Sequence, residues 1–495
     1  MSEVFAIKNY LNAAEVTAKL DNLVKQPVYS IKPEVLKEYE EEYFEKKCSK
    51  SKEMVDMAGA VIPGAVQHNL AFNHPFPLAF DRAEGAYLYD VDGNRYYDFL
   101  QAGGPIVLGS NPPAVREKVI ELLNNCGPST GLFHEYEYKL AKKICDSVPS
   151  VNMFRMLNSG SEACMGAIRI ARLATKKKHI LKMGGAYHGW SDQLAYGIRI
   201  PGSKWTQANG VPRKMFAYTH EFFPNDPEDL EAKLKKYKNL GGTAAVFLEA
   251  IGPESGTRPV DYDFPKKCRE LAHKYGALLI CDEVVTGFRI GMSGAQGFFG
   301  IDPDLSIFGK AIAGGYPGAG GIGGKAEYMK YLSAGLSGEA RHPKALIGGT
   351  LAAAPISCVA GYYMLCEIEK SGAIPHAGAM GDRLMAGVQK VIDKYNLPFV
   401  AFNQGSVCHV DTTGTMHYFI DWSKPWKIPG VLNATSFGKK EMEHIGAAYM
   451  AEGFVTLAGN RLYTSAAYTE EMIDDVIERF DRVFSNCVQV GEAKK

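Results

Sequence analysis

The sequence lacks long hydrophobic runs, and nowhere do 18 apolar residues follow one another. A helix that crosses a membrane needs about 20 such residues, so we expect no membrane partner. The first residues include acids and do not show the basic-then-apolar pattern of a secretory signal. We therefore predict a cytoplasmic protein.

Metal-binding and disulfide patterns are also missing from the sequence. It has ten cysteines but no CxxC pair and no metal-ligand spacing. Scattered cysteines are typical of reduced thiols in the cytoplasm, and we predict no metal site. The cysteines stand at positions 48, 126, 145, 164, 268, 281, 358, 366, 408 and 487.

The chain has no excess of charge of either sign, because lysine plus arginine and aspartate plus glutamate both total 55. This balance gives no net field that would attract nucleic acid, so we expect no nucleic-acid partner. Hydrophobic residues make up 46% of the 495 positions, which is enough for a substantial core. The length favours more than one domain.

Residues 135–330 alternate helical patterns with short apolar runs, which is typical of a parallel sheet with crossover helices. Around Asp92-Gly93, the stretch AYLYDVDGNRYYDF predicts a β-hairpin. We predict an α/β protein with an N-terminal helical arm (1–58), the N-terminal part of a small domain with the hairpin (59–110), a large domain (111–365) and the C-terminal small α+β domain (366–495). The predicted strands of the large domain are 153–157, 179–183, 244–249, 277–281 and 305–308.

Two residues of opposite charge follow predicted buried strands. Asp282 stands at the carboxyl end of strand 277–281, the end at which open α/β sheets bind ligands. Lys310 follows strand 305–308 and precedes a glycine-rich stretch that we expect to be a loop. A desolvated lysine can form a Schiff base with an aldehyde cofactor, and a carboxylate can hold a pyridine nitrogen protonated. The pair therefore favours a pyridoxal phosphate site, although such pairs also occur in α/β proteins without one.

Two further motifs could contact such a cofactor. The small-residue turn 158–161, with sequence NSGS, follows strand 153–157 and opens a helix. Its N–H groups and hydroxyls suit a phosphate, but a plain serine N-cap gives the same pattern. Tyr187-His188 follows strand 179–183, where an aromatic ring can stack on a planar cofactor or simply pack in its loop.

A nicotinamide cofactor is disfavoured. Residues 318–323 match the GxGxxG pattern, but Tyr316-Pro317 precedes them instead of a strand, and the hydroxyl residue of a P-loop is missing. These glycines more simply allow the backbone to pass close to Lys310.

Five motifs then occur in order: NSGSEA, YHG, LLICDEVVTGFR, FGKAIAGGYP and GGTLAAAPISCVAG. Together they resemble the class III aminotransferases of fold type I, and among these the glutamate-1-semialdehyde aminomutases most. The similarity extends from about residue 60 to the C-terminus. It implies a large and a small domain around a pyridoxal phosphate site, in an obligate homodimer.

The resemblance also implies the residues that hold the cofactor and act on it. Lys310 would form the internal aldimine and then move the proton between substrate and cofactor. Asp282 would pair with the pyridinium nitrogen. The residues expected to contact the cofactor are Ser159, Gly160, Ser161, Tyr187, His188, Glu249, Asp282, Val284, Lys310 and Thr350.

These contacts would divide the cofactor among several motifs. Ser159, Gly160 and Ser161 would hold the phosphate, and Tyr187 would cover the ring face. Thr350 would reach the phosphate of the neighbouring subunit's cofactor.

Departures from the aminomutase pattern bear on the substrate. Ala71 stands where the aminomutase has an arginine for the substrate carboxylate, and Gly103 where it has a tryptophan. Asn460 stands near the place of a glutamate. These changes predict a roomier and differently charged pocket. Candidates for substrate recognition are His68, Asn69, Gln101 and Arg461.

We therefore expect an aminotransferase that moves an amino group between an amino acid or amine donor and a keto or aldehyde acceptor. An aminomutase and an amino-acid racemase or epimerase stay open, because all of them begin by removing a proton next to the same nitrogen. A non-catalytic binding protein is disfavoured, because Lys310 and Asp282 are both present.

Overall fold

The computed structural model describes residues 3–333 and 342–491. Its strands are β1 (Tyr29–Ile31), β2 (Phe80–Glu84), β3 (Tyr87–Asp90), β4 (Arg95–Asp98), β5 (Met153–Leu157), β6 (His179–Met183), β7 (Thr219–Phe222), β8 (Thr243–Leu248), β9 (Leu278–Asp282), β10 (Leu305–Gly309), β11 (Gly320–Gly324), β12 (Val400–Gln404), β13 (Val407–Asp411), β14 (Phe454–Val455), β15 (Arg461–Tyr463) and β16 (Cys487–Gln489). Its helices are α1 (Ala13–Leu23), α2 (Pro33–Glu38), α3 (Ser49–Gly59), α4 (Pro113–Asn125), α5 (Glu135–Ser147), α6 (Gly160–Thr175), α7 (Pro227–Lys238), α8 (Pro253–Gly256), α9 (Phe264–Lys274), α10 (Gly294–Phe298), α11 (Ala326–Met329), α12 (Pro355–Ser371), α13 (Ala373–Lys394), α14 (Ile428–Ala451) and α15 (Glu470–Phe484).

A seven-stranded sheet, in the order β5-β11-β10-β9-β8-β6-β7, carries the α/β part of the fold. The strands from β10 to β7 pair in parallel, whereas β11 runs antiparallel to both of its neighbours. Helix α6 packs on one face of the sheet, and α7 and α9 pack on the other, so its central strands are buried. All five predicted strands are confirmed, with bounds that shift by no more than one residue.

The glycine-rich stretch that the sequence predicted to be a loop is strand β11, so that prediction was wrong. A Cβ atom at Gly320 would lie 2.2 Å from the carbonyl oxygen of Ser159, and one at Gly321 would lie 2.3 Å from the ring of Phe154. Glycine has low strand propensity in general, but here the tight packing against β5 requires it.

The described residues also form three smaller sheets. The predicted hairpin is confirmed as β3 and β4, in which Tyr87 pairs with Tyr97, and it belongs to a sheet of order β14-β4-β3-β2. Strands β12, β13 and β15 form another sheet, in which both pairings are antiparallel. Helix α15, capped by Thr469, packs its apolar stripe into the core of this region together with α13.

The N-terminal segment is attached to the rest of the chain by several contacts. Strand β1 pairs with β16, and α1 packs its apolar side against β12. The Glu3 carboxylate accepts a hydrogen bond from the backbone N–H of Ser293 at 2.7 Å. The arm predicted to be helical therefore also contains a strand, which is too short to show a period in the sequence. The division of the chain at residues 58, 110 and 365 stays a prediction.

Candidate active site

Strand ends bring the chemical groups together at one edge of the central sheet. Because β8, β9 and β10 are parallel neighbours, their carboxyl ends lie side by side. Glu249 follows β8, Asp282 ends β9, and Lys310 follows β10. Ser159 follows β5, which β11 joins to β10.

The Asp282 carboxylate is 6% exposed and is held from two sides. Its Oδ1 accepts from the backbone N–H of Val284 at 3.0 Å, and its Oδ2 lies 2.7 Å from Nδ1 of His188. Burial lowers the pKa of His188, so its imidazole is neutral and Nδ1–H donates to Asp282. The Nε2 of His188 is buried and has no partner among the residues described. His188 thus fixes the orientation of the Asp282 carboxylate.

Lys310 begins a short 3₁₀ turn, Lys310–Ala313, and has a φ of 50°. A left-handed φ is unfavourable for a lysine, and such strain tends to cluster at functional sites. The Nζ donates to the carbonyl oxygen of Gly103. Burial lowers the pKa of Lys310, and the guanidinium groups of Arg461 and Arg289 lower it further. A lowered pKa increases the neutral, nucleophilic fraction of the amine.

The turn before α6 combines an N-cap with the geometry of an anion site. The Oγ of Ser159 accepts from the N–H of Glu162 at 3.3 Å, and the Glu162 carboxylate accepts from the N–H of Asn158 at 2.9 Å. The first N–H groups of a helix have no acceptor within that helix, so those of Gly160 and Ser161 are available to an anion.

Close backbone packing shapes the space beside this turn. A Cβ at Gly160 would lie 2.9 Å from Cγ2 of Val284, and one at Gly309 would lie 3.0 Å from its Cγ1. A Cβ at Gly189 would lie 2.2 Å from Oγ of Ser161, so the loop that follows β6 closes on the turn. A larger residue at any of these glycines would collide with Val284 or Ser161.

Unpartnered polar atoms also suit a phosphate-bearing ligand. Oδ1 of Asn158 and Oγ of Ser191 are buried, and neither has a partner in the part of the chain that the structure describes. Buried polar atoms without a partner are uncommon, and at a site they indicate a ligand or water. The turn, the glycines and these atoms together fit pyridoxal phosphate, which Ser159, Gly160 and Ser161 would hold by its phosphate.

Glu249 connects the loop that follows β6 to the loop that follows β8. Its carboxylate accepts from the backbone N–H groups of Tyr187 at 3.1 Å, Glu254 at 3.0 Å and Ser255 at 2.7 Å. Burial and the charge of Asp282 raise the pKa of Glu249 to about 8. Tyr187 is 46% exposed and is therefore accessible to a planar ligand.

Thr350 is exposed in the single chain. The adjacent Gly349 packs beside the turn before α6, since a Cβ there would lie 2.3 Å from Nδ2 of Asn158. A contact between Thr350 and a neighbouring subunit's cofactor stays a prediction.

Arg461, one of the candidates for substrate recognition, lies in the same pocket as Lys310. Its Nη2 lies 3.5 Å from Oε1 of Glu254, and its buried Nε has no partner among the described residues. A Cβ at Gly104 would lie 3.6 Å from Cζ of Tyr463 and 3.7 Å from Nζ of Lys310. Tyr463 follows Arg461 by two positions in β15, so both side chains point to the same face of that strand.

Tyr463 and Glu254 were missed by the sequence reasoning. Burial alone would raise the pKa of Tyr463, but the positive charges of Arg461, Lys310 and Arg289 outweigh it and lower the pKa. The one available signal for Tyr463 was its spacing of two positions from Arg461, which places both side chains on one face of a strand. Glu254 gave no such signal, because its loop has left-handed backbone at both Glu254 and Ser255.

The other candidates for substrate recognition have different surroundings. His68 and Asn69 are exposed, and Nδ1 of His68 accepts from the N–H of Leu70 at 3.1 Å. Gln101 is buried, and its Oε1 accepts from Nη2 of Arg289 at 3.1 Å. Arg289 is fully buried, and Gln101 therefore serves to hold that guanidinium in place.

The geometry agrees with comparisons to known proteins. The family model for aminotransferase class-III matches residues 70–453. The chain belongs to the class III aminotransferase family. A glutamate-1-semialdehyde 2,1-aminomutase from Legionella pneumophila (strain Paris) is 37% identical over 383 residues, covering 75% of this chain and 86% of that protein.

Solved structures of this family share the fold. An omega-transaminase from Sphaerobacter thermophilus aligns with a TM-score of 0.76 and 25% identity, covering 90% of this chain and 99% of that one. A glutamate-1-semialdehyde aminomutase from Pseudomonas aeruginosa PAO1 aligns with a TM-score of 0.76 and 19% identity, covering 95% and 98%.

Class III aminotransferases transfer amino groups with pyridoxal phosphate. The predictions of an enzyme, of this cofactor and of fold type I are therefore confirmed. When bound, the cofactor supplies an aldehyde that captures an amine and a ring that accepts negative charge.

No cluster of three or more metal-ligating side chains occurs within residues 3–333 and 342–491. None of the helices in that part of the chain combines the length and the hydrophobicity of a membrane span.

Proposed function

We propose that the protein is an intermolecular aminotransferase whose amino donor carries a carboxylate. The observation that carries this proposal is Arg461, which is 9% exposed, lies beside Lys310 and keeps an Nε without a partner among the described residues. A planar guanidinium is suited to a carboxylate because it can donate two parallel hydrogen bonds.

Glu254 makes this arginine adaptable. At 3.5 Å its carboxylate neutralises Arg461 without a close hydrogen bond, and Oε2 of Glu254 is buried with no partner in the described part of the chain. A substrate carboxylate can therefore displace Glu254, whereas a substrate without one can leave the pair intact. This pairing fits an enzyme that accepts two different substrates in turn.

The remaining residues divide the chemical work. Lys310 would take a proton from the donor carbon and pass it to the cofactor, and in the second half-reaction it would move a proton from the cofactor to the acceptor carbon. Asp282, oriented by His188, favours a protonated ring nitrogen, and Tyr187 covers the ring. Glu249 holds the backbone of both flanking loops.

The aminomutase alternative is disfavoured, because Ala71 stands where the aminomutases have an arginine for the substrate carboxylate. The neighbouring Leu70 packs at Gly103, since a Cβ there would lie 3.2 Å from Cδ1 of Leu70. The small residues Ala71 and Gly103 therefore replace the arginine and the tryptophan of the aminomutases. We expect only slow conversion of glutamate-1-semialdehyde to 5-aminolevulinate, and rapid conversion in a direct assay would overturn the proposal.

We also propose a cytoplasmic homodimer. Two segments of the chain, 132–133 and 346–351, carry large apolar side chains that are exposed in the single chain. These side chains are Leu132, Phe133, Leu346 and Leu351. Exposed apolar patches often mark subunit contacts, and Thr350 lies in one of these segments. Ten free cysteines are compatible with a reducing compartment.

Replacing Arg461 with glutamine is expected to raise KM for a donor with a carboxylate by about 10- to 100-fold, the usual effect of one lost charged hydrogen bond. KM for an amine donor without a carboxylate should change much less. The control is internal, because KM for both donors is measured with the same variant. An equal loss for both donors would show that Arg461 is structural.

A further inference from the structure

Two oppositely charged residues lie buried on neighbouring strands of the central sheet. Lys182 on β6 pairs in register with Glu221 on the parallel strand β7. Lys182 has no exposed surface, and Glu221 is 7% exposed. Burial lowers the pKa of Lys182 to about 8, and the charge of Glu221 opposes this shift. Charges are rarely buried at this depth unless both are compensated.

Lys182 binds the backbone of the loop that follows its own strand. Its Nζ donates to the carbonyl oxygens of Ala186 at 2.7 Å, Tyr196 at 2.7 Å and Leu194 at 3.5 Å. These three bonds use all of the hydrogens of the ammonium group. The ammonium group thereby joins the start of the loop to its middle.

The Glu221 carboxylate binds backbone amide groups at the end of the same loop. Its Oε2 accepts from the N–H of Gly202 at 2.8 Å, and its Oε1 accepts from the N–H of Lys204 at 2.9 Å. A Cβ at Gly197 would lie 2.1 Å from Cδ of Glu221, so the loop closes tightly on the carboxylate. Gly197 has a φ of 60°, which also favours glycine there.

The loop held in this way carries two contacts of the active site. The N–H of Tyr187 donates to Glu249, and the ring of His188 donates to Asp282. Both residues follow directly after Ala186, whose carbonyl oxygen is bound by Lys182. A shift of Ala186 would therefore move Tyr187 and His188 together.

We propose that Lys182 and Glu221 are positioning residues that fix residues 184–204 so that Tyr187 and His188 meet the cofactor ring and Asp282. The lysine holds carbonyl groups and the glutamate holds amide groups, so the pair fixes both ends of the loop while each charge compensates the other. This inference rests on the proposed function, because it concerns the same site.

A simpler role would be charge compensation alone. In that case the pair would matter for folding, and a neutral pair of similar size would replace it fully. The variants K182M, E221Q and the double variant K182M/E221Q distinguish the two roles. The double variant leaves no uncompensated buried charge, but it still lacks the bonds of Lys182 to the loop.

The experiment measures two quantities for each variant: thermal unfolding of the cofactor-free protein, and the dissociation constant for pyridoxal phosphate from its visible absorbance. We expect K182M and E221Q each to weaken pyridoxal phosphate binding by about 10- to 100-fold, as loss of charged hydrogen bonds would. The pH titration of the bound cofactor's visible band should also shift by about one unit, which corresponds to a tenfold change. The double variant should regain thermal stability relative to K182M without regaining affinity.

A matched control is the double variant K19M/E15Q. Lys19 and Glu15 form an exposed ion pair at 2.8 Å, so this variant removes the same chemical groups from the surface, where they contribute little. It should leave both quantities unchanged.

Two results would count against the pair, and they are distinguishable. If the wild type binds pyridoxal phosphate but K182M/E221Q binds it equally well with an unshifted band, the pair only compensates charge and the inference fails alone. If the wild type binds no pyridoxal phosphate, the proposed function fails as well.

Discussion

Replacing Lys310 with alanine should reduce amino transfer by about 10⁴-fold, the upper end of what a positioned proton-transfer group contributes. The amine lies within a pocket where burial and two guanidinium groups lower its pKa, which increases the fraction that can act as a base. Alanine removes both the nucleophile and the base. Single-turnover kinetics with the pyridoxal phosphate-loaded variant measures the loss.

Two controls separate this effect from misfolding. The variant should keep its circular dichroism spectrum, because the Nζ of Lys310 makes one hydrogen bond, to Gly103. The variant K238A removes an exposed lysine at the end of α7 and should retain full activity. If K310A kept more than roughly a few per cent of the wild-type activity, Lys310 would not be the proton-transfer group.

Replacing Asp282 with asparagine should lower kcat by about 10²- to 10³-fold, which is typical for the loss of one preorganised electrostatic group. Asparagine has nearly the same shape and can still accept the hydrogen bond from the N–H of Val284. It carries no negative charge to stabilise a protonated ring nitrogen. The loss should therefore be in kcat more than in KM for the donor, as steady-state kinetics can measure.

The variant D192N provides a control, because Asp192 is exposed on the same loop as His188. It should behave as the wild type. A D282N variant with unchanged kcat and a raised KM would instead assign Asp282 to substrate binding.

The sequence could predict the parts of the fold and site that depend on neighbours along the chain. Strands β9 and β10 are short apolar runs, and each is followed at once by its functional residue, Asp282 or Lys310. Since parallel strands end at the same edge, the meeting of these two residues follows from local pattern alone. The turn at Ser159 was found in the same way.

The parts that sequence reasoning missed depend on residues far apart in the chain. Strand β11 consists mainly of glycine because of its close approach to β5, which local propensity does not contain. The pair of Arg461 and Glu254 joins positions separated by more than two hundred residues, and the pair of Lys182 and Glu221 joins two strands. Each of these contacts can be recognised only when the arrangement of the strands in the folded structure is known.

The most direct test of the account is to find which amine holds the cofactor. The wild-type protein is loaded with pyridoxal phosphate, reduced with sodium borohydride, digested and mapped by mass spectrometry. We expect a single pyridoxyl group on the peptide that contains Lys310. Labelling of another lysine, including the buried Lys182, or no labelling at all, would contradict the assignment of the site.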